Sequence, residues 1–248
     1  MINRIKIVLK KISLPFALLA LIISCEKEIK IDFTEQNIES STVAEIAINY
    51  PKAEGTKDVA NLINKTLKNH IISQTNFNKD TLTNASINDA IKQFNNDFNN
   101  FKNDFPDSTQ KWEIFIDGEV TYHSPEVISI AVNSYLDTGG AHGNTNVRFF
   151  NFNSQTGKLL LNKDHINNIK ALSKIVEEKL KDELEHHSGN EPIEDLFFGE
   201  GFQLPESIGY SDEGIIILYN PYEIASYAQG IIEFTIPFEE INSFLNLN

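Results

Sequence analysis

The hydrophobic positions of this chain recur with two different spacings. Three segments place apolar residues at steps of three and four, which is typical of amphipathic helices: Thr56–Ile71, Ser86–Phe105 and Asn168–His187. Other segments alternate with a period of two or are short β-branched runs, which is typical of strands: Thr42–Asn49, Trp112–Ile116, Glu126–Tyr135, Val147–Phe152, Ile215–Tyr219 and Ile231–Ile236. Helices in blocks beside hairpin-connected strands predict an α+β fold, with a mainly antiparallel sheet packed by three to four helices.

Local signals predict where several of these elements begin and end. Ser86 followed by Asp89 is close to a capping box and begins the second helix. Pro51 is expected to end the first strand, because proline cannot donate to a ladder. The Asp117-Gly118 pair and the Ser154–Gly157 segment are expected to form turns. In addition, Pro237 is expected to begin a short closing helix, and the phenylalanine stripe of the second helix to pack on the sheet.

The amino terminus has the pattern of an export signal. Its first eleven residues carry four basic side chains and no acid, and the apolar stretch Ile12–Ile23 is too short to span a bilayer comfortably. Ser24 and then Cys25, the single cysteine of the chain, follow this stretch. A charged start, a short apolar core and a small exit residue are typical of a secretion signal. Because Ile22–Cys25 resembles a bacterial lipobox, we predict cleavage before Cys25 and lipidation of its thiol.

The expected organisation is a signal peptide over residues 1–24, a tether over 25–41 and an α+β domain over 42–248. Within that domain, an amino-terminal part extends to about residue 140 and a carboxyl-terminal part to residue 248. The net charge is −14, and removal of the signal with its four basic residues would make it −18. Nucleic acid is therefore a poor partner, because phosphate backbones reward clustered Lys and Arg. An acidic domain attracts basic partners instead.

The most unusual local sequence is the glycine-rich stretch between two predicted strands, which runs Tyr135-Leu136-Asp137-Thr138-Gly139-Gly140-Ala141-His142-Gly143. Three glycines around a histidine predict a tight loop with positive φ angles and exposed amide groups. We therefore predict a recognition surface near the loop Asp137–Asn144. Its candidate binding residues are Tyr135, Asp137, Thr138, Gly139, Gly140, His142 and Gly143.

This loop, the aromatic strand Phe149–Phe152 and the hairpin Thr156-Gly157-Lys158 together resemble the signature of the DUF4163/DUF3298 superfamily. The carboxyl-terminal half of that signature is present as Gly214–Tyr219, Tyr222–Ala225, Tyr227-Ala228, Gly230 and Phe234–Pro237. One departure is Asp137, where an aromatic residue often precedes the T-G-G run.

The resemblance implies an extracytoplasmic module. In that superfamily the module occurs as the ectodomain of anti-sigma factors that sense lysozyme, as the non-catalytic region of peptidoglycan deacetylases, and alone in envelope lipoproteins. Together with the predicted lipidation of Cys25, the resemblance leads us to expect a lipid-anchored domain, on the periplasmic face or the cell surface of the outer membrane. The implied function is non-catalytic binding or sensing of cell-wall glycan or a wall-active protein such as lysozyme. The deacetylase motifs T-F-D-D and H-x-x-x-H are missing from this sequence.

No complete catalytic constellation is visible, and no cofactor or metal is expected. Asp137-Thr138-Gly139 is similar to an aspartic protease loop, but a second copy is missing and only a homodimer would supply it. The alternative function is an enzyme acting on wall glycan, with His142 and a nearby carboxylate such as Asp137 or Glu223. A structural role for His142 is favoured, with its ring nitrogens hydrogen-bonded to loop carbonyls.

Two weak metal patterns are interpreted as structural. Glu183, His186 and His187 lie at the end of a predicted helix, where the helix dipole and exposed carbonyls favour histidine. The stretch Asn76-x-Asn78-x-Asp80 is faintly similar to a calcium loop, but it lacks the turn glycine and the terminal acid of such loops.

Overall fold

The computed structural model describes residues 29–75, 85–187 and 196–246. The strands are β1 (Ile31–Ser40), β2 (Glu45–Gly55), β3 (Glu113–His123), β4 (Val127–Asp137), β5 (Asn144–Asn153), β6 (Leu159–Leu160), β7 (Ile208–Tyr210), β8 (Gly214–Tyr219) and β9 (Ile232–Pro237). The helices are α1 (Lys57–Thr75), α2 (Ile87–Asp104), α3 (Asn162–His165), α4 (Ile169–His187) and α5 (Phe238–Ile241), with 3-10 turns at Tyr227–Gln229 and Asn242–Phe244. The predicted signal, Cys25 and residues 76–80 lie outside the described residues. In the part that is described, no helix is both long and apolar enough to cross a membrane.

The strands form two sheets. The larger has six strands in the order β1-β2-β3-β4-β5-β6, and the smaller has three in the order β7-β8-β9. Every pairing is antiparallel except that of β2 with β3, which is parallel. The parallel pair arises because α1 and α2 lie between these two strands in the sequence and cross over one face of the sheet. The predicted α+β class is confirmed, with two sheets where the sequence suggested one.

The six-stranded sheet separates two cores. On one face, α1 and α2 cover isoleucines of β2, β3 and β4. On the other face lies the smaller sheet, which packs with α4 in a second core. Hydrogen bonds join β7 to the larger sheet: the Tyr210 amide donates to Ser129 Oγ at 3.2 Å, and Asn151 Nδ2 donates to the Ile208 carbonyl at 2.7 Å. The carboxyl-terminal half is therefore built onto the face that α1 and α2 leave open.

The second helix agrees closely with its sequence prediction. The Ser86 hydroxyl accepts a bond from the Asp89 amide, and the Asp89 carboxylate accepts one from the Ser86 amide, so the capping box is complete. Phe94 and Phe98 are buried, and both rings lie 5.6 Å from the Trp112 ring. The stripe is thus core, as predicted, although Phe105 at its end is 58% exposed.

The predicted tether was too long. Residues 31–40 form β1, which pairs with β2 along its whole length, from Ile31 opposite Gly55 to Ser40 opposite Ile46. The stretch is polar because β1 is an edge strand, and an edge strand tolerates charge and needs few apolar side chains.

Two strand ends were also predicted wrongly, because β2 and β3 both continue past the point where their pairing with each other ends. Pro51 lies inside β2 rather than after it, and Asp117 and Gly118 lie inside β3 rather than in a turn. The parallel ladder between β2 and β3 stops at Asn49 opposite Asp117, so the missing amide hydrogen of Pro51 costs no bond to β3. A Cβ atom at Gly118 would lie 2.9 Å from Pro51 Cδ. The glycine is therefore explained by close packing against the proline.

Candidate functional site

The glycine loop connects β4 to β5 at one end of the six-stranded sheet. The last ladder pairs before it are Glu113 with Asp137 and Leu136 with Asn144. The same end of the sheet contains the end of β1, because Ser40 pairs with Ile46 and Ile46 with Ile114. Since β1 begins at the opposite end, the amino terminus of the domain and the glycine loop lie at opposite ends of the sheet.

Asp137 shapes the first half of the loop. Its Oδ1 accepts a hydrogen bond from the Gly139 amide at 2.7 Å, which is an Asx-type turn. Gly139 has φ +86°, and its carbonyl accepts a bond from Gln110 Nε2 at 2.5 Å. A Cβ atom at Gly139 would lie 2.2 Å from the Gln110 side chain. Thr138 is half-buried and Gly140 is exposed, so the turn presents its backbone to solvent.

Tyr135 supports the second half of the loop. A Cβ atom at Gly143 would lie 2.3 Å from the Tyr135 hydroxyl oxygen, so only glycine allows this approach. The ring of Tyr135 stacks on Phe115 with centroids 5.9 Å apart, and its hydroxyl donates to Asp137 Oδ2 at 3.4 Å. Desolvation raises the pKa of Tyr135, and the carboxylates of Asp137 and Glu113 raise it further. The phenol therefore stays a protonated donor at neutral pH.

His142 joins the loop to the carboxyl-terminal half. Its Nδ1 lies 2.8 Å from the Gly143 carbonyl oxygen, which can only accept, so Nδ1 carries the proton. The other ring nitrogen, Nε2, lies 3.2 Å from the Tyr222 hydroxyl oxygen, and with the proton on Nδ1 it accepts a hydrogen bond from that hydroxyl. The imidazole stacks on Tyr227, with the ring centroids 3.6 Å apart. One nitrogen thus has the loop-carbonyl partner expected from the sequence, and the other has a tyrosine 80 residues away.

Tyr222 is a site residue that the sequence reading missed. It has φ +67°, which is uncommon for any residue but glycine or asparagine, and it is 55% exposed. Backbone strain of this kind concentrates at functional sites. The only signal in the sequence was its place in the carboxyl-terminal signature, because nothing local links it to His142. We call the rings of His142, Tyr222 and Tyr227 the aromatic cluster.

Glu223, one of the carboxylates considered for the enzymatic alternative, lies away from the glycine loop in sequence and is bonded to backbone groups. Its two carboxylate oxygens accept backbone amide bonds, from Glu206 at 2.6 Å and from Asn220 at 2.9 Å. The Asn220 side chain in turn bonds both the amide and the carbonyl of Val147, at 2.7 and 3.0 Å, as a neighbouring strand would. Glu223 therefore helps to hold the Asn220 segment against the edge of β5.

An acidic row extends from the loop across the sheet. Glu45, Glu113 and Asp137 are ladder neighbours on β2, β3 and β4, and they point away from α1 and α2. Adjacent strands are about 4.8 Å apart, so the row is about 10 Å wide. The next row along the sheet carries the stacked rings of Phe115 and Tyr135. We call these five residues the acidic face.

No cation interrupts the acidic face along its strands. The stretches 31–40, 45–49, 113–119 and 133–137 contain neither Lys nor Arg. Like charges directly opposite each other on neighbouring strands are destabilising. The three carboxylates in one row are therefore not explained by a gain in stability.

Other chemistry is sparse in the described ranges. Within residues 29–75, 85–187 and 196–246, no group of three or more His, Cys, Asp or Glu is placed to hold a metal ion. Glu183 lies on α4, whereas the side chains of His186 and His187 fall outside the description. Two cavities, of about 310 and 290 Å³, are lined by other parts of the chain and share no residue with the glycine loop.

A six-stranded mixed sheet, joined by a glycine loop and an aromatic cluster to a three-stranded sheet, defines a two-part α+β module. Family models match both parts. Residues 38–145 match the model described as Deacetylase PdaC, and residues 159–239 match the model described as Protein of unknown function (DUF3298). The resemblance drawn from the sequence is therefore confirmed, and the matches indicate a cell-wall-associated domain.

Solved structures agree with this fold. A DUF3298 family protein from Pseudomonas aeruginosa PAO1 superposes with a TM-score of 0.62 at 19% identity, covering 88% of this chain and 95% of that one. A DUF3298 family member from Bacteroides fragilis NCTC 9343 superposes with a TM-score of 0.59 at 18% identity, covering 88% and 93%. At these identities the likeness concerns the fold alone. A comparison with curated proteins gives no match.

Proposed function

We propose that this protein is an envelope lipoprotein whose domain is a non-catalytic binding or sensing module for a basic wall-active protein such as lysozyme. The observation that carries the proposal is the acidic face, which continues into the glycine loop and whose strand segments 45–49, 113–119 and 133–137 contain neither Lys nor Arg. A basic partner would be steered to such a surface and held there.

The acidic face is suited to guanidinium and ammonium groups. The neighbouring carboxylates of Glu113 and Asp137 offer charged acceptors about one strand spacing apart. Beside them, the stacked rings of Phe115 and Tyr135 offer a surface for cation–π contact. Lys and Arg side chains of a partner can therefore find an ion pair and an aromatic ring in two adjacent rows of the sheet.

The aromatic cluster supports an interface at the same end of the molecule. Tyrosines are enriched among the residues that contribute most to protein–protein affinity, because a rigid ring and a hydroxyl are presented at low entropic cost. Tyr222 is exposed, and its hydroxyl is oriented by His142. The cluster would thus form the apolar part of an interface whose charged part is the acidic face.

Lipid anchoring would present this surface to a partner outside the membrane. In the proposed mature protein, only residues 26–30 separate Cys25 from β1, and five residues span at most about 18 Å. The ten residues of β1 then extend about 33 Å toward the glycine loop. The loop would therefore point away from the bilayer, on the periplasmic face or the cell surface of the outer membrane.

Charge reversal on the acidic face tests the proposal. Binding of hen egg-white lysozyme by the full chain should weaken by at least about tenfold in Glu113→Lys, since one attraction is replaced by a repulsion. Glu178→Lys is the matched control, because Glu178 is exposed on α4 and the change in net charge is the same. Equal affinities of the two variants would contradict a binding site on the acidic face.

Cell-wall glycan is the second candidate, and the aromatic cluster favours it. The exposed ring of Tyr222 offers flat apolar surface, and the surrounding amide and hydroxyl groups offer hydrogen bonds. Glycan binding would barely change with salt, whereas binding of a basic protein would weaken as salt rises. Titration of muropeptides against the full chain at low and high salt separates the two candidates.

A further inference from the structure

A cavity of about 290 Å³ lies on the helix-covered face of the six-stranded sheet, and it shares no residue with the glycine loop or the acidic face. It is lined by Ile38, Tyr50, Lys52, Asn64, Lys68, Ser86, Ile87 and Asn88. Its volume is near the lower end of the range for small-molecule sites, about 300–1,000 Å³. The cavity has room for one small organic molecule.

Regular secondary structure brings these side chains together. Tyr50 and Lys52 are two residues apart on β2 and therefore point to the same side of the sheet. Asn64 and Lys68 are four residues apart on α1 and so lie one above the other on its surface. The start of α2 closes the cavity with Ile87, which is buried. Rigid elements, not a loop, thus position the two lysines.

Some of the polar groups are already occupied. The Asn64 amide bonds both the amide and the carbonyl of Ala53, each at 2.8 Å. Ser86 is used in the capping box, so the start of α2 is not offered to a ligand. Lys52 makes an exposed ion pair with Glu54 at 3.4 Å.

The polar side chains that remain are those of Tyr50, Lys68 and Asn88, and the first two supply donors. Lys68 is half-buried, and neither it nor the Tyr50 hydroxyl makes an ion pair or hydrogen bond with any residue in the described ranges. Burial raises the pKa of Tyr50, with Lys52 opposing, so its hydroxyl remains a donor at neutral pH. In a chain of net charge −14, two lysines and a free hydroxyl facing one cavity are a local exception.

We propose that this cavity binds a small organic anion, a carboxylate or phosphate carried on a short apolar body. The anionic group would lie between Lys52 and Lys68 and accept a hydrogen bond from the Tyr50 hydroxyl. The apolar body would pack against Ile38 and Ile87. Both halves of the site are needed: the lysines alone bind any anion weakly, and the isoleucines give the site its preference for a ligand with an apolar part.

The test uses the full chain in nanodiscs, with empty nanodiscs as the blank, and ligand-observed NMR to obtain dissociation constants. Benzoate, phenyl phosphate and the uncharged benzamide are the probes, because they share a ring and differ in charge. We expect at least one of the two anions to bind about tenfold more tightly than benzamide, as one charge-assisted hydrogen bond provides. The tighter of the two anions identifies whether a carboxylate or a phosphate is preferred.

Matched variants localise the binding. Lys68→Met keeps the aliphatic length and removes the charge, and it should weaken anion binding about tenfold while leaving benzamide unchanged. Lys52→Met should weaken it less, because Glu54 already shares that ammonium group. Lys65→Met, exposed on the same helix and outside the cavity, is the control and should change nothing.

Three outcomes would overturn the proposal. They are equal affinity for the anions and benzamide, an equal loss in Lys65→Met and Lys68→Met, and no binding of any probe by the wild-type chain. None of these outcomes depends on lysozyme binding. The proposal for the cavity and the proposal for the acidic face are therefore tested independently.

Discussion

Two histidine–tyrosine hydrogen bonds lie in opposite environments in this molecule. His165 is 1% exposed, and its Nδ1 lies 2.5 Å from the hydroxyl of Tyr210, which is fully buried. His142 is exposed, and its Nε2 lies 3.2 Å from the hydroxyl of Tyr222, which is also exposed. The same pair of side chains thus serves the core in one place and the surface in the other. The difference shows that burial decides the function of each pair: the buried pair can only stabilise the fold, whereas the exposed pair can contact a binding partner.

The largest expected effect is on the buried pair. His165→Ala removes a packed ring and leaves the Tyr210 hydroxyl buried without its partner, at a cost of about 3–5 kcal/mol. For a protein of this size the melting temperature should fall by about 6–20 °C. Thermal denaturation followed by circular dichroism checks this. A fall of less than about 2 °C would contradict the structural assignment of His165.

The second largest expected effect is a loss of stability at acid pH, through His165 and His70. Burial lowers the pKa of His165 to about 4, with Asp164 opposing, and burial with help from Arg148 lowers that of His70 to about 4. The unfolded chain, with histidine near pH 6.5, therefore binds these protons more readily than the folded one. Their stabilising contribution is complete above pH 6.5 and is lost as pH falls toward 4.

Urea denaturation between pH 7 and pH 4 measures this loss, which should be on the order of 2–3 kcal/mol for each of the two groups. His70→Gln serves as the partner variant and should remove about half of the pH dependence. A free energy of unfolding that does not change over this range would show that neither histidine is held neutral by burial.

The surface pair should matter less for stability and more for binding. His142→Ala breaks bonds that water can replace, so we expect a loss of about 1 kcal/mol and a fall in melting temperature of about 2–4 °C. Lysozyme binding should weaken, because Tyr222 loses the ring that orients it.

The same variant tests the enzymatic alternative. Muropeptide release and deacetylation assays should detect no activity in the wild type or in His142→Ala. Wild-type turnover that disappears in the variant, at an unchanged melting temperature, would establish a catalytic role for His142 and overturn the binding account.

The lipid anchor is tested apart from the fold. Cys25→Ala should leave an unprocessed precursor and abolish metabolic labelling with a palmitate analogue, because Cys25 is the single cysteine of the chain. The free energy of unfolding of the domain should not change. Unaltered lipid labelling in the variant would remove the lipoprotein assignment.

The elements predicted well from the sequence are those whose own side chains form a core. α1, α2 and α4 were predicted because a buried stripe recurs at helical spacing in each of them. β1 was missed because an edge strand needs few apolar residues. β7 was missed because it is three residues long, which is too short to show the alternation of apolar and polar residues that predicts a strand.

The candidate site also has parts that local sequence predicts and parts that it does not. The loop from Asp137 to Gly143 was predicted because several glycines close together in the sequence indicate a tight turn. The contact of His142 with Tyr222, and the engagement of Glu223 by two backbone amides, depend on tertiary packing. The acidic face was equally hidden, since Glu45, Glu113 and Asp137 become neighbours only through strand order and register.

The measurement that tests the central claim most directly is the salt dependence of lysozyme binding. The dissociation constant of the full chain for hen egg-white lysozyme should rise by at least about tenfold between about 0.05 and about 0.5 M salt, because the Debye length falls well below the width of the acidic face. In Glu113→Gln the rise should be smaller. Binding that does not change with salt, or no binding at low salt, would contradict recognition of a basic partner by the acidic face.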